Sequence, residues 1–125
     1  MSPEAHRAKA ERIERSLAKC GPQDYEMKIE AAMLAGTHWL NLALHRMGIT
    51  PPQTDVLHTY MLTVNELRKY RVADAELLDA LAEIEDIRPG FVRGNLPGGE
   101  KAAERSLALL SLLRQKAQPD YSAGG

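Results

Sequence analysis

The residues of this 125-residue chain whose types could do chemistry are four histidines, at positions 6, 38, 45 and 58, and a few polar neighbours. His38, His45, Asp55 and His58 can approach one another across the turn between the second and third predicted helices. Imidazole with carboxylate is a donor set for a divalent ion or for acid–base work. The spacing argues against a metal: His38 and His45 lie two helical turns apart, about 10 Å, whereas two ligands from one helix normally sit at i,i+3 or i,i+4. No His-x-x-x-His or Glu-x-x-His pair occurs. Neither a metal nor a cofactor is expected.

Glu30, Thr37, His38, Asn41 and His45 fall within an arc of roughly 100° on the second helix, a polar stripe between apolar flanks. It reads either as a solvent face, with Asn41 and His45 paired, or as a groove or dimer seam that needs donors and acceptors. Arg88 and Arg93 bracket part of a loop, residues 88–99, that holds four glycines and two prolines. Glycines let backbone amides approach a ligand, which with the arginines suits phosphate. Alternatively Phe91 and Val92 plug the bundle end and Arg88 pairs with Glu85 or another nearby acid. The candidate ligand-binding residues are therefore His38, Asn41, His45, Arg88 and Arg93. No catalytic residue is expected: Cys20 sits at a helix end where the dipole disfavours thiolate, and no serine lies in a nucleophile elbow.

The elements that position these groups read as helices throughout. Ser2-Pro3-Glu4 starts a first helix and Cys20-Gly21-Pro22 stops it, with a narrow apolar stripe of Ala10, Ile13 and Leu17. That helix is expected to lie outside the rest. A second helix runs from Asp24 to Met47 and is apolar on two sides, so it should be central. Thr54 or Asp55 caps a third, with Val56, Tyr60, Val64 and Leu67 buried and the basic run Arg68-Lys69-Tyr70-Arg71 at its solvated end. Asp74 caps a fourth that ends by Arg88, because Pro89 disfavours helix in the residue before it. A last helix, from about Glu100 to Ala117, buries Ala103, Leu107, Leu110 and Leu113. The expected fold is all-α, an antiparallel bundle of four to five helices. It forms one domain over residues 1–118, with residues 2–20 as the outlying helix, 24–117 as the bundle core and 119–125 as a disordered tail.

Composition narrows the function classes. Hydrophobic residues make up 44% and charged residues 26%, a globular balance. Sixteen lysines and arginines against 17 acids leave no global positive field for nucleic acid or anionic lipid. One cysteine allows no intrachain disulfide, and no stretch approaches the roughly 18 apolar residues of a membrane span. No membrane association and a cytoplasmic location are the expectations.

The run Glu30-Ala-Ala-Met-Leu-Ala-Gly-Thr-His-Trp-Leu-Asn-Leu-Ala-Leu-His45, followed after further helical sequence by Ile84-Glu-Asp-Ile-Arg-Pro-Gly-Phe-Val-Arg-Gly94 and a leucine-rich helix, resembles the HEPN superfamily over residues 24–117. The resemblance implies a small helical bundle, commonly dimeric, from toxin–antitoxin and defence systems, where it works beside nucleotidyltransferases. Many members cleave RNA with an arginine followed four to six residues later by a histidine. Here Arg88 leads to Arg93 instead, so the resemblance implies a non-catalytic member. It would bind a partner protein, a nucleotidyltransferase among them, or a nucleotide or RNA phosphate, through the Arg88 and Arg93 loop. The rival expectation is an RNA-cleaving or metal-dependent hydrolytic enzyme using a His38, His45 and His58 cluster.

Overall fold

A computed structural model describes residues 1–119. The expected disordered tail therefore lies, apart from Pro119, outside the described residues. Four α-helices form a closely packed antiparallel bundle, and no strand occurs among the described residues. They are α1 (Pro3–Leu17), α2 (Tyr25–Arg46), α3 (Val64–Arg88) and α4 (Gly99–Ala117), with a 3₁₀ turn at Thr59–Met61 and a π-turn at Pro89–Arg93.

Helix α2 is the central member and packs against the other three. Ile29, Ala32, Met33, Leu40, Ala43 and Leu44 on one flank, and Ala35, Trp39 and Leu42 on the other, are all buried, as a helix apolar on two sides requires. Gly36 lies on the same axis because a Cβ there would stand 2.9 Å from Leu113 Cδ1 of α4. Leu77, Leu78, Leu81 and Ile84 of α3, with Leu109, Leu110 and Leu113 of α4, complete the core. Helix α1 starts as its sequence predicts, with Ser2 Oγ accepting from the Ala5 N–H at 3.1 Å and proline at the first turn. It packs on α2 and carries His6 and Ala10 into the interior.

The segment after α2 departs from expectation. No helix starts at Thr54 or Asp55; Thr63 caps α3 instead, in a reciprocal capping box with Glu66. The backbone of Val56 is held by a side chain of α2, and Asp55 is drawn inward, so neither is free to begin a helix. Val56 is buried as expected, but Tyr60 and Val64 are 70% and 73% exposed. Asp74 does cap the helical turn after it, accepting from the Leu77 N–H at 3.2 Å. The two predicted helices on either side of it run on as one kinked helix, with Asp74 stepping out at φ −162°, ψ 98°. The kink lets Arg71 fork onto Asp79 at 3.0 and 2.9 Å.

Residues 88–99 also differ from an open loop. Pro89 keeps helical dihedrals and opens the π-turn, which seats Phe91 and Val92 against Ile29, Ala102 and Ala103. Gly98 takes a left-handed φ of 94° to turn the chain into α4, a conformation that glycine adopts without a Cβ clash.

Candidate functional site

Two polar constellations stand out. The first joins α1, α2 and the segment after α2. From α1, His6 Nε2 meets Asp55 Oδ1 at 2.8 Å and its Nδ1 meets His38 Nδ1 at 2.9 Å. From the last turn of α2, His45 Nε2 meets the same Asp55 oxygen at 2.9 Å, and its Nδ1 faces both the Thr50 carbonyl at 3.0 Å and the Thr50 hydroxyl at 2.8 Å. The amino group of Met1 donates to Asp55 Oδ2 at 3.1 Å. The side chains of His6 and His45 are 2% and 1% exposed, while that of Asp55 is 25% exposed, so of these three the carboxylate is the one that meets solvent.

Burial sets the charge of these groups. Desolvation lowers the His6 pKa, outweighing the Asp55 carboxylate that would raise it, and lowers that of His38 as well, helped by the neighbouring His6 and Lys9. Both rings are therefore held towards the neutral form. Burial also works against charge on Asp55, but hydrogen bonds from His6, His45 and the amino terminus prevail and hold its carboxyl at about 2.

The polar stripe of α2 is thus not a solvent face. Asn41 is buried and does not pair with His45; it bonds the backbone of Val56 and the Thr37 carbonyl. Asn41 and His45 serve the junction between α2 and the 50–56 segment, while His38 meets His6 of α1. His58 does not join them. Of the two histidines on α2 only His45 reaches Asp55, and His6 of α1 joins it there, while His38 does not. His6 was missed because 32 residues separate it from His38 in a helix expected to lie outside the bundle.

The second constellation surrounds a surface cavity of roughly 270 Å³ between α2, α3 and the π-turn, lined by His58, Tyr60, Glu85, Arg88 and Arg93 among others. Glu85 is buried and accepts from the Thr59 N–H at 3.0 and 3.3 Å, from the Thr59 hydroxyl and from His58 Nδ1 at 3.0 Å. His58 stacks on Tyr60 with ring centroids 4.6 Å apart. Arg88 and Arg93 thus do line one site, away from His38, Asn41 and His45. Arg88, however, is paired with Glu30 of α2 rather than with Glu85. Two of the loop amides are spent as well: Gly94 N–H bonds the Pro89 carbonyl at 2.9 Å and Leu96 N–H the Gly90 carbonyl at 3.1 Å.

A third feature adjoins this cavity. Leu57, Tyr60, Met61, Val64 and Val72 are 64%, 70%, 64%, 73% and 83% exposed, an apolar ridge along one stretch of chain. Its far end borders a shallow cavity with Leu67, Arg68 and Arg71, and Tyr60 belongs to both ridge and arginine cavity. Among the described residues no helix is long and apolar enough to cross a membrane. Comparison with protein-family models, curated proteins and solved structures finds no match for this chain.

Proposed function

We propose that this chain is a non-catalytic binding module that associates with a second copy of itself through the 57–72 ridge. The exposed ridge carries the reading. Five large apolar side chains in one stretch, each more than three-fifths exposed, cost solvation free energy in a monomer and are the usual mark of a protein interface. A HEPN-like pattern supports a second copy as the occupant, since the bundles it resembles are commonly dimeric.

Of the ligands the sequence suggested, protein is favoured over a nucleotide or RNA phosphate. The charge of Arg88 is already answered by Glu30, the acid Asp86 lines the same cavity as Arg93, and the Gly94 and Leu96 amides are bonded within the loop. The His38, His45 and His58 enzyme is disfavoured because His58 faces Glu85, on the other constellation.

Sedimentation equilibrium of the full chain tests the proposal. The expected result is a species of twice 13.8 kDa at micromolar concentration, dissociated by Met61→Lys or Val64→Glu without loss of helical content. A monomer unaffected by either variant overturns it, and a monomer that shifts when RNA or a nucleotide is added returns the reading to phosphate binding at Arg88 and Arg93.

A further inference from the structure

We infer that His6 Nε2, His45 Nε2 and an Asp55 carboxylate oxygen form a three-ligand site for one divalent ion of the zinc class, with His38 and the Thr50 carbonyl positioning the two imidazoles. The three ligand atoms lie within 4.8 Å of one another and come from three separate parts of the chain, two of them almost fully buried. Ligands about 2.1 Å from a tetrahedral ion stand roughly 3.4 Å apart. Each histidine would therefore stand about half an ångström further from Asp55 than its present 2.8 or 2.9 Å when the ion is bound, with the two Nε2 atoms, now within 4.8 Å of each other, closing on the same spacing.

Proton accounting at the outer nitrogens favours this use of the site. A backbone carbonyl only accepts, so in the tautomer whose Nδ1–H donates to the Thr50 carbonyl, His45 turns an Nε2 lone pair to the carboxylate, where a bound ion would replace the proton that otherwise bonds Asp55. His6 can be arranged the same way, its Nδ1–H donating to His38 Nδ1 and its Nε2 lone pair turned to Asp55. Two lone pairs facing one carboxylate oxygen repel unless a cation sits between them. Outer-nitrogen partners of this kind are what orient histidine ligands in metal sites. The competing arrangement uses the Thr50 hydroxyl as donor to His45 Nδ1 and sends an Nε2–H to Asp55, leaving a network of protons alone.

The donor set names the ion class. Two imidazoles and one carboxylate suit zinc and its first-row neighbours, while calcium and magnesium prefer all-oxygen shells. Three protein ligands leave a fourth position open, on the side of Asp55, the only ligand with appreciable side-chain exposure. The inference is independent of self-association, since none of these residues lies on the 57–72 ridge.

The test uses the full chain, stripped with a chelator, then titrated with Zn(II) by calorimetry and with Co(II) by visible absorption. One ion per chain and the intense d–d bands of four-coordinate cobalt are expected. His45→Ala and Asp55→Asn should each weaken binding at least 100-fold, on the order of losing a direct ligand, and His38→Ala about 10-fold, as for an outer-shell partner. A folded wild-type chain that gives neither heat nor a cobalt spectrum overturns the site and leaves the proton network. So does one-to-one binding that survives both ligand substitutions, which would place the ion elsewhere. The wild-type titration decides the matter by itself if a variant fails to fold.

Discussion

The side chain of Asn41 grips the backbone of Val56 at both ends: Nδ2 donates to the Val56 carbonyl at 2.7 Å, and Oδ1 accepts from its N–H, also at 2.7 Å. Asn41 is buried at 1% exposure on α2, and Val56 is buried on a segment without regular structure. The amide therefore does for one residue what a strand neighbour would do, satisfying a buried donor and acceptor that have no helical partner. It also places Asp55, the residue before Val56, against His6 and His45.

Asn41→Ala is expected to destabilise the chain by about 2–4 kcal/mol, because it leaves two buried backbone groups of Val56 unsatisfied and each costs about 1–3 kcal/mol. Urea denaturation measures it. A loss under about 1 kcal/mol would show that water replaces the amide at little cost and that the 50–56 segment is not anchored here.

The His6, His38 and Asp55 cluster should make the metal-free chain acid-labile in two stages. A histidine whose folded pKa is lowered binds its proton more readily when unfolded, so His6 and His38 contribute stability that is lost as pH falls below the unfolded value of 6.5. Asp55 behaves as a depressed acid. Its contribution is complete above the unfolded 3.8 and disappears as pH falls through the folded value of about 2. Allowing for its partial exposure, that second stage is worth about 1–2 kcal/mol. Denaturation free energies measured in chelator at pH 7.5, 6, 5, 4 and 3 should decline from pH 6.5 downward, and His38→Gln should flatten the upper stage. A flat profile between pH 7 and 5 would mean that the rings bind protons as readily in the fold as in the unfolded chain.

The legibility of the sequence divided along a physical line. Periodicity exposed α1, α2 and α4 and most of their inner rows, with Ile13, Leu17 and Leu107 only partly buried, because burial of one face repeats every turn and needs no knowledge of the partner. Start signals were equally local: Ser2-Pro3 and Asp74 cap where their types predict. The third helix reads from sequence as starting at Thr54 or Asp55, with the Thr63-x-x-Glu66 box passed over, and only a contact from Asn41, 15 residues back, rules against that start. The candidate sites depend on such long-range contacts almost entirely. His6 meets Asp55 across 49 positions and Arg88 meets Glu30 across 58, and no spacing rule within one helix reports either pair. The Tyr60 and Val64 error has the same origin, since a period of 3.6 was projected onto residues that a 3₁₀ turn and a cap place on the outside.

Glu85 offers the sharpest test of how the ridge is held in place. Its carboxylate is 3% exposed and accepts from the backbone and hydroxyl of Thr59 and from His58, so one side chain of α3 anchors the turn that carries Tyr60 and Met61. Glu85→Ala removes every acceptor and strands the Thr59 N–H in a buried position; the expected loss is about 2–4 kcal/mol. Glu85→Gln keeps one acceptor oxygen for the Thr59 N–H, places an NH₂ against other donors, and should fall between Ala and the native chain. Amide hydrogen exchange at Thr59 separates anchoring from a general loss of stability. In Glu85→Ala its protection should drop further than that of Leu40 or Leu81 at the bundle centre. If all three amides lose protection equally, the carboxylate stabilises the bundle as a whole and the turn takes its position from packing.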